Sequence, residues 1–116
     1  MSSILDDVKK VVNIPPDYTA FDPDILMHIN ATFSTLHQLG VGPETTYSID
    51  DNSKEWDELD LSVNQLSLAK TYISLKVRML FDPPNTSFVI EAVNNQIQEL
   101  EHRLVASAEL TKLADT

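Results

Sequence analysis

Apolar residues recur at helical spacing in several stretches of this chain, and proline and glycine mark the breaks between them. Projected at about 100° per residue, Val89, Val93, Ile97, Leu100 and Leu104 fall on one stripe, with Asn94, Gln98, Glu101 and His102 elsewhere. Upstream, Leu66, Ala69, Ile73, Val77 and Leu80 make one stripe, and Leu68, Tyr72, Leu75 and Met79 make a second, on the opposite side. The spacing predicts helices over residues 63–81 and 87–105. Between them lies Phe81-Asp82-Pro83-Pro84-Asn85-Thr86-Ser87-Phe88. The two prolines lack a backbone N–H and disfavour helical geometry in the residue before them, so a helix reaching Phe81 must stop. Asn85, Thr86 and Ser87 each offer a side-chain oxygen to cap the next helix. Phe81, Asp82, Pro83, Pro84 and Ser87 are therefore expected to form the turn of a tight antiparallel helix pair.

A helix with two opposed apolar sides has something packed on each. One side of helix 63–81 takes the partner helix. The other takes the rest of the chain or a neighbouring subunit, which makes Leu68, Tyr72, Leu75 and Met79 candidates for subunit contact. Buried stripe residues contribute roughly 1.5–3 kcal/mol each, against about 1–2 kcal/mol of backbone entropy per ordered residue. A lone hairpin would thus be marginal.

Two shorter helices precede the pair. Ser3-Ile4-Leu5-Asp6 reads as a helix start with Ser3 as cap, and Ile4, Val8 and Val11 share a face flanked by Leu5 and Val12. Asn13-Ile14-Pro15-Pro16 ends it. Asp22-Pro23-Asp24 opens a second helix, with Asp22 as cap and Pro23 in the first helical position. Its buried stripe is Ile25, Ile29, Phe33, Leu36 and Leu39; Asn30, Thr32, Ser34, Thr35 and Gln38 form an uncharged outer face; Gly40 is the C-terminal cap. Residues 41–61 form a long acidic connection, in which the pattern allows a short strand over Thr46–Ile49. Trp56, the one large apolar group in its acidic part, is expected to pin the loop to the helices. Ser62-Val63-Asn64-Gln65 is a capping-box pattern opening the third helix. Beyond residue 105 the phase changes: Ala106, Leu110 and Leu113 fall opposite Leu100 and Leu104. Either the helix breaks near Val105–Glu109, the tail docks on another surface, or it frays. The predicted fold is all-α, a small bundle of about four helices in one domain over residues 1–105, with a C-terminal docking tail over 106–116.

Composition narrows the function. The formal net charge of −10 argues against a protein that grips nucleic acid. It fits a protein that repels DNA or docks on a basic partner. With no cysteine, disulfides and thiolate metal sites are excluded. No signal peptide or membrane-spanning stretch is read from the chain. His28, His37 and His102 lack the spacing of a helical metal pair. Asp50-Asp51-Asn52-Ser53-Lys54-Glu55 begins like a calcium loop, but Lys54 stands where a ligand is required and the turn glycine is missing. No nucleophile elbow surrounds any serine. The acids Asp50, Asp51, Glu55, Asp57 and Glu58 have two readings: a solvated loop that aids solubility, or, in several copies, a negative rim past which DNA slides without sticking.

Residues 72–104 carry a resemblance. Tyr72-Ile73-Ser74-Leu75-Lys76-Val77-Arg78-Met79-Leu80-Phe81-Asp82-Pro83-Pro84, then Ser87-Phe88-Val89-Ile90-Glu91-Ala92 and Gln98-Glu99-Leu100-Glu101-His102-Arg103-Leu104, resemble the tailed-bacteriophage head–tail connector (adaptor) family. The earlier helices and the acidic loop agree with it in order and length. The resemblance implies a structural virion protein without catalysis or cofactor. It would form a ring, dodecameric in that family, beneath the portal vertex and join the capsid to the next neck (head-closure or stopper) protein. DNA would pass through the lumen without tight binding. The same resemblance implies that the C-terminal segment, here Ala106, Leu110 and Leu113, docks on the portal protein. The acidic loop is the candidate surface for the channel or the next neck protein. Location would be the virion, with the host cytoplasm before assembly. The other reading of the same helices is a cytoplasmic helical adaptor or regulator that binds a single partner.

Overall fold

The structure, a computed structural model, describes residues 2–42 and 47–114, without the side chains of Lys112 and Ala114. Four α-helices follow in order: α1 (Ile4–Val11), α2 (Asp22–Gln38), α3 (Val63–Phe81) and α4 (Ser87–Ala114). One 3-10 turn, Trp56–Leu59, lies among the described residues of the connection between α2 and α3. Among the described residues there is no strand, and residues 47–49 carry no regular secondary structure. Thr46 lies outside the described residues. The all-α fold predicted from the spacing is the one observed.

The starts and stops follow local chemistry. Ser3 caps α1 by accepting from the Asp6 amide at 3.3 Å, and Ser62 caps α3 by accepting from the Gln65 amide at 3.2 Å. The reciprocal half of that second capping box is not made, because the Gln65 side chain is drawn away to α4. At the end of α2, Gly40 takes φ +85°, which a side chain would resist. Its N–H bonds the His37 carbonyl and the Val41 N–H bonds that of Leu36, both at 3.0 Å. This is a Schellman closure of the helix end. α2 begins one residue earlier than expected: Phe21 is the cap, and Asp22 and Pro23 occupy the first two helical positions. Asp22 does not cap because its carboxylate is engaged by Lys9 at 2.8 Å.

α3 is the hub, packed against α2, α4, α1 and the Trp56 turn. Ala69, Ile73 and Val77 are fully buried, as are Ile25 and Ile29 on α2 and Leu104 on α4. The core tapers toward the Pro-Pro turn, where Leu80 and Val89 are about half exposed. On α1 the buried face is rotated from expectation: Ile4, Leu5, Val8 and Val12 are covered, while Val11 is exposed. The rotation accommodates Lys9, which is fully buried. Its Nζ donates to the Pro16 carbonyl at 3.0 Å and pairs with Asp22. A buried cation persists only with such partners.

Candidate functional site

The Pro-Pro turn separates two helices as expected. α3 ends at Phe81 with Asp82 as its cap, and α4 opens at Ser87. Thr86 supplies the cap, accepting from the Val89 amide at 3.4 Å, so Ser87 is the first helical residue. Phe81 leaves the hairpin sideways and meets the Phe21 ring edge-on, with centroids 5.5 Å apart. Phe21 in turn contacts Tyr18 at 5.8 Å.

The second stripe of α3 is partly covered within one chain. Tyr72 is fully buried, and Leu68, Leu75 and Met79 are half-buried against the core. The Tyr72 hydroxyl donates to Glu101 Oε2 at 2.8 Å, tying α3 to α4. Burial together with the neighbouring carboxylate pushes the Tyr72 hydroxyl above the ordinary tyrosine range. Tyr72 is thus buried within the single chain. The breadth of the apolar surface on α3 does not by itself call for a second copy, because α1, α2 and α4 together surround that helix.

α4 runs unbroken through Ala114, past the point where its phase was expected to fail. At 28 residues it spans roughly 42 Å, nearly the 46 Å length of the molecule. Its inner stripe continues from Leu104 through buried Ala108. Gln65 reaches Ser107 Oγ and Thr111 Oγ1, both at 3.4 Å. Ala106, Leu110 and Leu113 lie on the outer side, with Leu110 and Leu113 about two-thirds exposed at 67% and 69%. The structure thus separates a packed inner face from an apolar outer one on the same helical segment.

The acidic loop is held by specific bonds. Asn30, expected to face outward, uses its side-chain amide as a clamp: Nδ2 donates to the Ile49 carbonyl and Oδ1 accepts from the Ile49 amide, each at 2.8 Å. Thr32 is buried as well, its hydroxyl donating to the His28 carbonyl at 2.9 Å. Trp56 is fully buried and its Nε1 donates to Asp7 Oδ2 at 2.8 Å, which confirms it as the pin. The N-terminus joins this arrangement. The Ile4 amide bonds the Lys54 carbonyl at 3.0 Å, and Ser2 Oγ donates to the same Asp7 oxygen. Lys70 approaches Asp7 at 3.5 Å and stands 5.3 Å above the Trp56 ring. Burial pushes the Asp7 carboxyl up, but the bonds from Ser2 and Trp56 and the Lys70 charge outweigh it and hold it below its ordinary value.

The named acids do not share one role. Asp50, Asp51, Asp57 and Glu58 are exposed, while Glu55 is half-buried. Glu55 and Glu58 form a reciprocal capping box around the 3-10 turn, with the Glu55 amide donating to Glu58 Oε2 at 2.7 Å. Asp51 accepts from the Ser53 amide at 2.8 Å and from its hydroxyl, which lowers its carboxyl below the usual value. Three of the five, Asp51, Glu55 and Glu58, are thus engaged in shaping the loop, and Asp50 and Asp57 are exposed charges. Glu44 lies outside the described residues. Among the described residues no cluster of three His, Cys, Asp or Glu side chains could hold a metal ion, and no helix is long and apolar enough to cross a membrane.

Over residues 4–111 the chain matches the family described as phage connector protein. It belongs to that family. The match takes in α1, the clamped loop and most of α4, well beyond the hairpin that carries the sequence resemblance. Comparison with curated proteins and with solved structures gave no match. Membership supports a role as a phage head–tail connector.

Proposed function

We propose that this connector forms a ring under the portal vertex and joins the capsid to the next neck protein, with DNA passing through the ring. The observation that carries the reading is the family match across residues 4–111. The ring would be dodecameric, as the resemblance implies. Portal docking is assigned to the outer face of the C-terminal part of α4, through Ala106, Leu110 and Leu113. Two exposed leucines at a helix end present apolar surface that a partner can bury. Asp50, Asp51, Asp57 and Glu58 make the loop a negative surface that phosphates avoid. It faces the channel or the next neck protein. Leu68, Leu75 and Met79 stay half-exposed at the flank of α3 and would take part in subunit contact. The protein would reside in the virion, after a period in the host cytoplasm, and work without catalysis or cofactor.

Mixing the purified chain with its portal protein tests this reading. Co-migration, with a ring visible on the portal in electron micrographs, is the expected result. The Leu110→Asp variant should lose at least tenfold in portal affinity, about 1.4 kcal/mol, while melting as the parent does. Absence of binding at high concentration overturns the proposal.

A further inference from the structure

The outer face of α4 carries an ordered seam of its own. Phe88, Ala92, Asn95, Glu99, His102 and Ala106 follow one another at alternating steps of four and three, and Leu110 and Leu113 extend the line. All of these side chains are exposed, Phe88 by 81%. Steps of three and four keep a seam on one side of a helix, the geometry by which two helices pack along their length. The inner stripe of the same helix is already occupied by α3, so this second seam faces outward from the finished bundle.

The seam is complementary to itself when reversed. Set antiparallel about a two-fold axis between Leu100 and Glu101, Phe88 meets Leu113 of a second copy, Asn95 meets Ala106, and Glu99 meets His102. Glu99 also comes beside Arg103 of that copy. Each end of the seam is apolar, and the middle sets Glu99, which stands 3.9 Å from Arg103 of its own chain, beside His102 and Arg103 of the other copy. A parallel arrangement would instead place Glu99 against Glu99 and Phe88 at the far end from the leucines. Opposed helix dipoles also favour the antiparallel choice.

We infer that the free connector pairs with a second copy through an antiparallel α4–α4 contact, Phe88 packing against the Leu110–Leu113 end. The occupant of the seam is thus another copy of this chain. Glu91 and Glu109 lie along one edge, where they approach their counterparts on the other copy. This like-charge edge weakens the contact and keeps it reversible. The consequence for assembly rests on the portal-docking reading above. Ala106 and Leu110 would be covered in the pair, so docking on the portal would require the pair to open. The free dimer would then act as a store that withholds the docking face until portal competes for it.

The chain has no cysteine, so introduced ones report contacts cleanly. In the full chain, combined Asn95→Cys and Ala106→Cys substitutions should give disulfide-linked dimers on mild oxidation. The two positions are too far apart along one helix to bond within a chain. Either substitution alone should stay largely monomeric on the same gel. Sedimentation should give twice the 13.0 kDa chain mass, falling to the monomer at least tenfold more readily in Phe88→Asp, with an unchanged helical melt. A monomer up to millimolar concentration, or efficient crosslinking by Asn95→Cys alone, overturns the antiparallel pair. These readouts use the free protein, so they stand apart from the portal-binding result: dimers without portal affinity would sink the docking reading and leave the pairing intact.

Discussion

Replacing Asn30 with alanine isolates the contact that fixes the acidic loop on α2. The substitution removes both 2.8 Å bonds to the Ile49 backbone. Each is worth about 1 kcal/mol net, and stranding the Ile49 N–H and carbonyl adds roughly another 1 kcal/mol or more, since Ile49 is only 4% exposed. A loss of about 3 kcal/mol should lower the melting temperature by roughly 12 °C at about 4 °C per kcal/mol for a chain of this size. Asn30→Asp separates the two bonds. It keeps the acceptor but turns a carboxylate oxygen toward the Ile49 carbonyl, so it should destabilise at least as much. Thermal unfolding by circular dichroism gives the magnitude, and amide hydrogen exchange gives the location. The Ile49 amide should exchange faster in Asn30→Ala, while amides in the middle of α3 keep their relative order. Unchanged melting together with unchanged Ile49 exchange would refute the clamp and leave Trp56 and Leu59 as the loop's anchors.

Three further outcomes follow from the core and its titrating groups. Leu100→Asp places a carboxylate at a position 6% exposed and should cost at least about 4 kcal/mol, a large share of the roughly 5–15 kcal/mol of a typical domain; a normal melt would mean this face is not buried. The depressed Asp7 carboxyl adds stability that is present above its unfolded value of 3.8 and is lost as pH falls through the lower folded value. Asp7→Asn should therefore flatten the acid limb of the stability profile, and an acid limb identical to the parent's would count against the Ser2–Trp56–Lys70 arrangement. The raised Tyr72 hydroxyl works in the other direction: its contribution is complete below pH 10.0 and is lost as the pH rises above that value. Tyr72→Phe should reduce the loss of stability measured above pH 10.0, at a cost near 1 kcal/mol at neutral pH from the missing bond to Glu101.

The parts of the fold legible in the sequence are those governed by neighbours along the chain. Pro83 and Pro84 stop α3, Ser3 and Ser62 cap their helices, and Gly40 closes α2, because each acts within one helical turn. The missed features depend on partners far away. Nothing in the period of α2 tells Asn30 from Gln38, and the clamp exists only because Ile49 arrives 19 residues later. Lys9 sits beside Val8 and one turn past Leu5, a signal for burial, but its partner Asp22 belongs to another helix. The width of the apolar surface on α3 was legible, yet its cover depended on how three helices surround it. On α4 the large residues Leu110 and Leu113 drew attention from the small ones. Ser107, Ala108 and Thr111 continue the inner stripe at spacings of three, four and seven from Leu104 and let Gln65 come close. The proposed subunit and docking surfaces were legible only as apolar residues without a cover in the pattern, since period and burial describe one chain at a time.

The tie between the two ends of the N-terminal half also bears on synthesis. Asp7 is made before its partner Trp56, which follows 49 residues later, and Lys70 comes later still. The first helix, eight residues long, is marginal alone and has no finished surface to settle on until α3 has been translated. Nascent copies therefore hold Ile4, Leu5 and Val8 uncovered until those later residues arrive, and closing that seam waits on contacts distant in sequence.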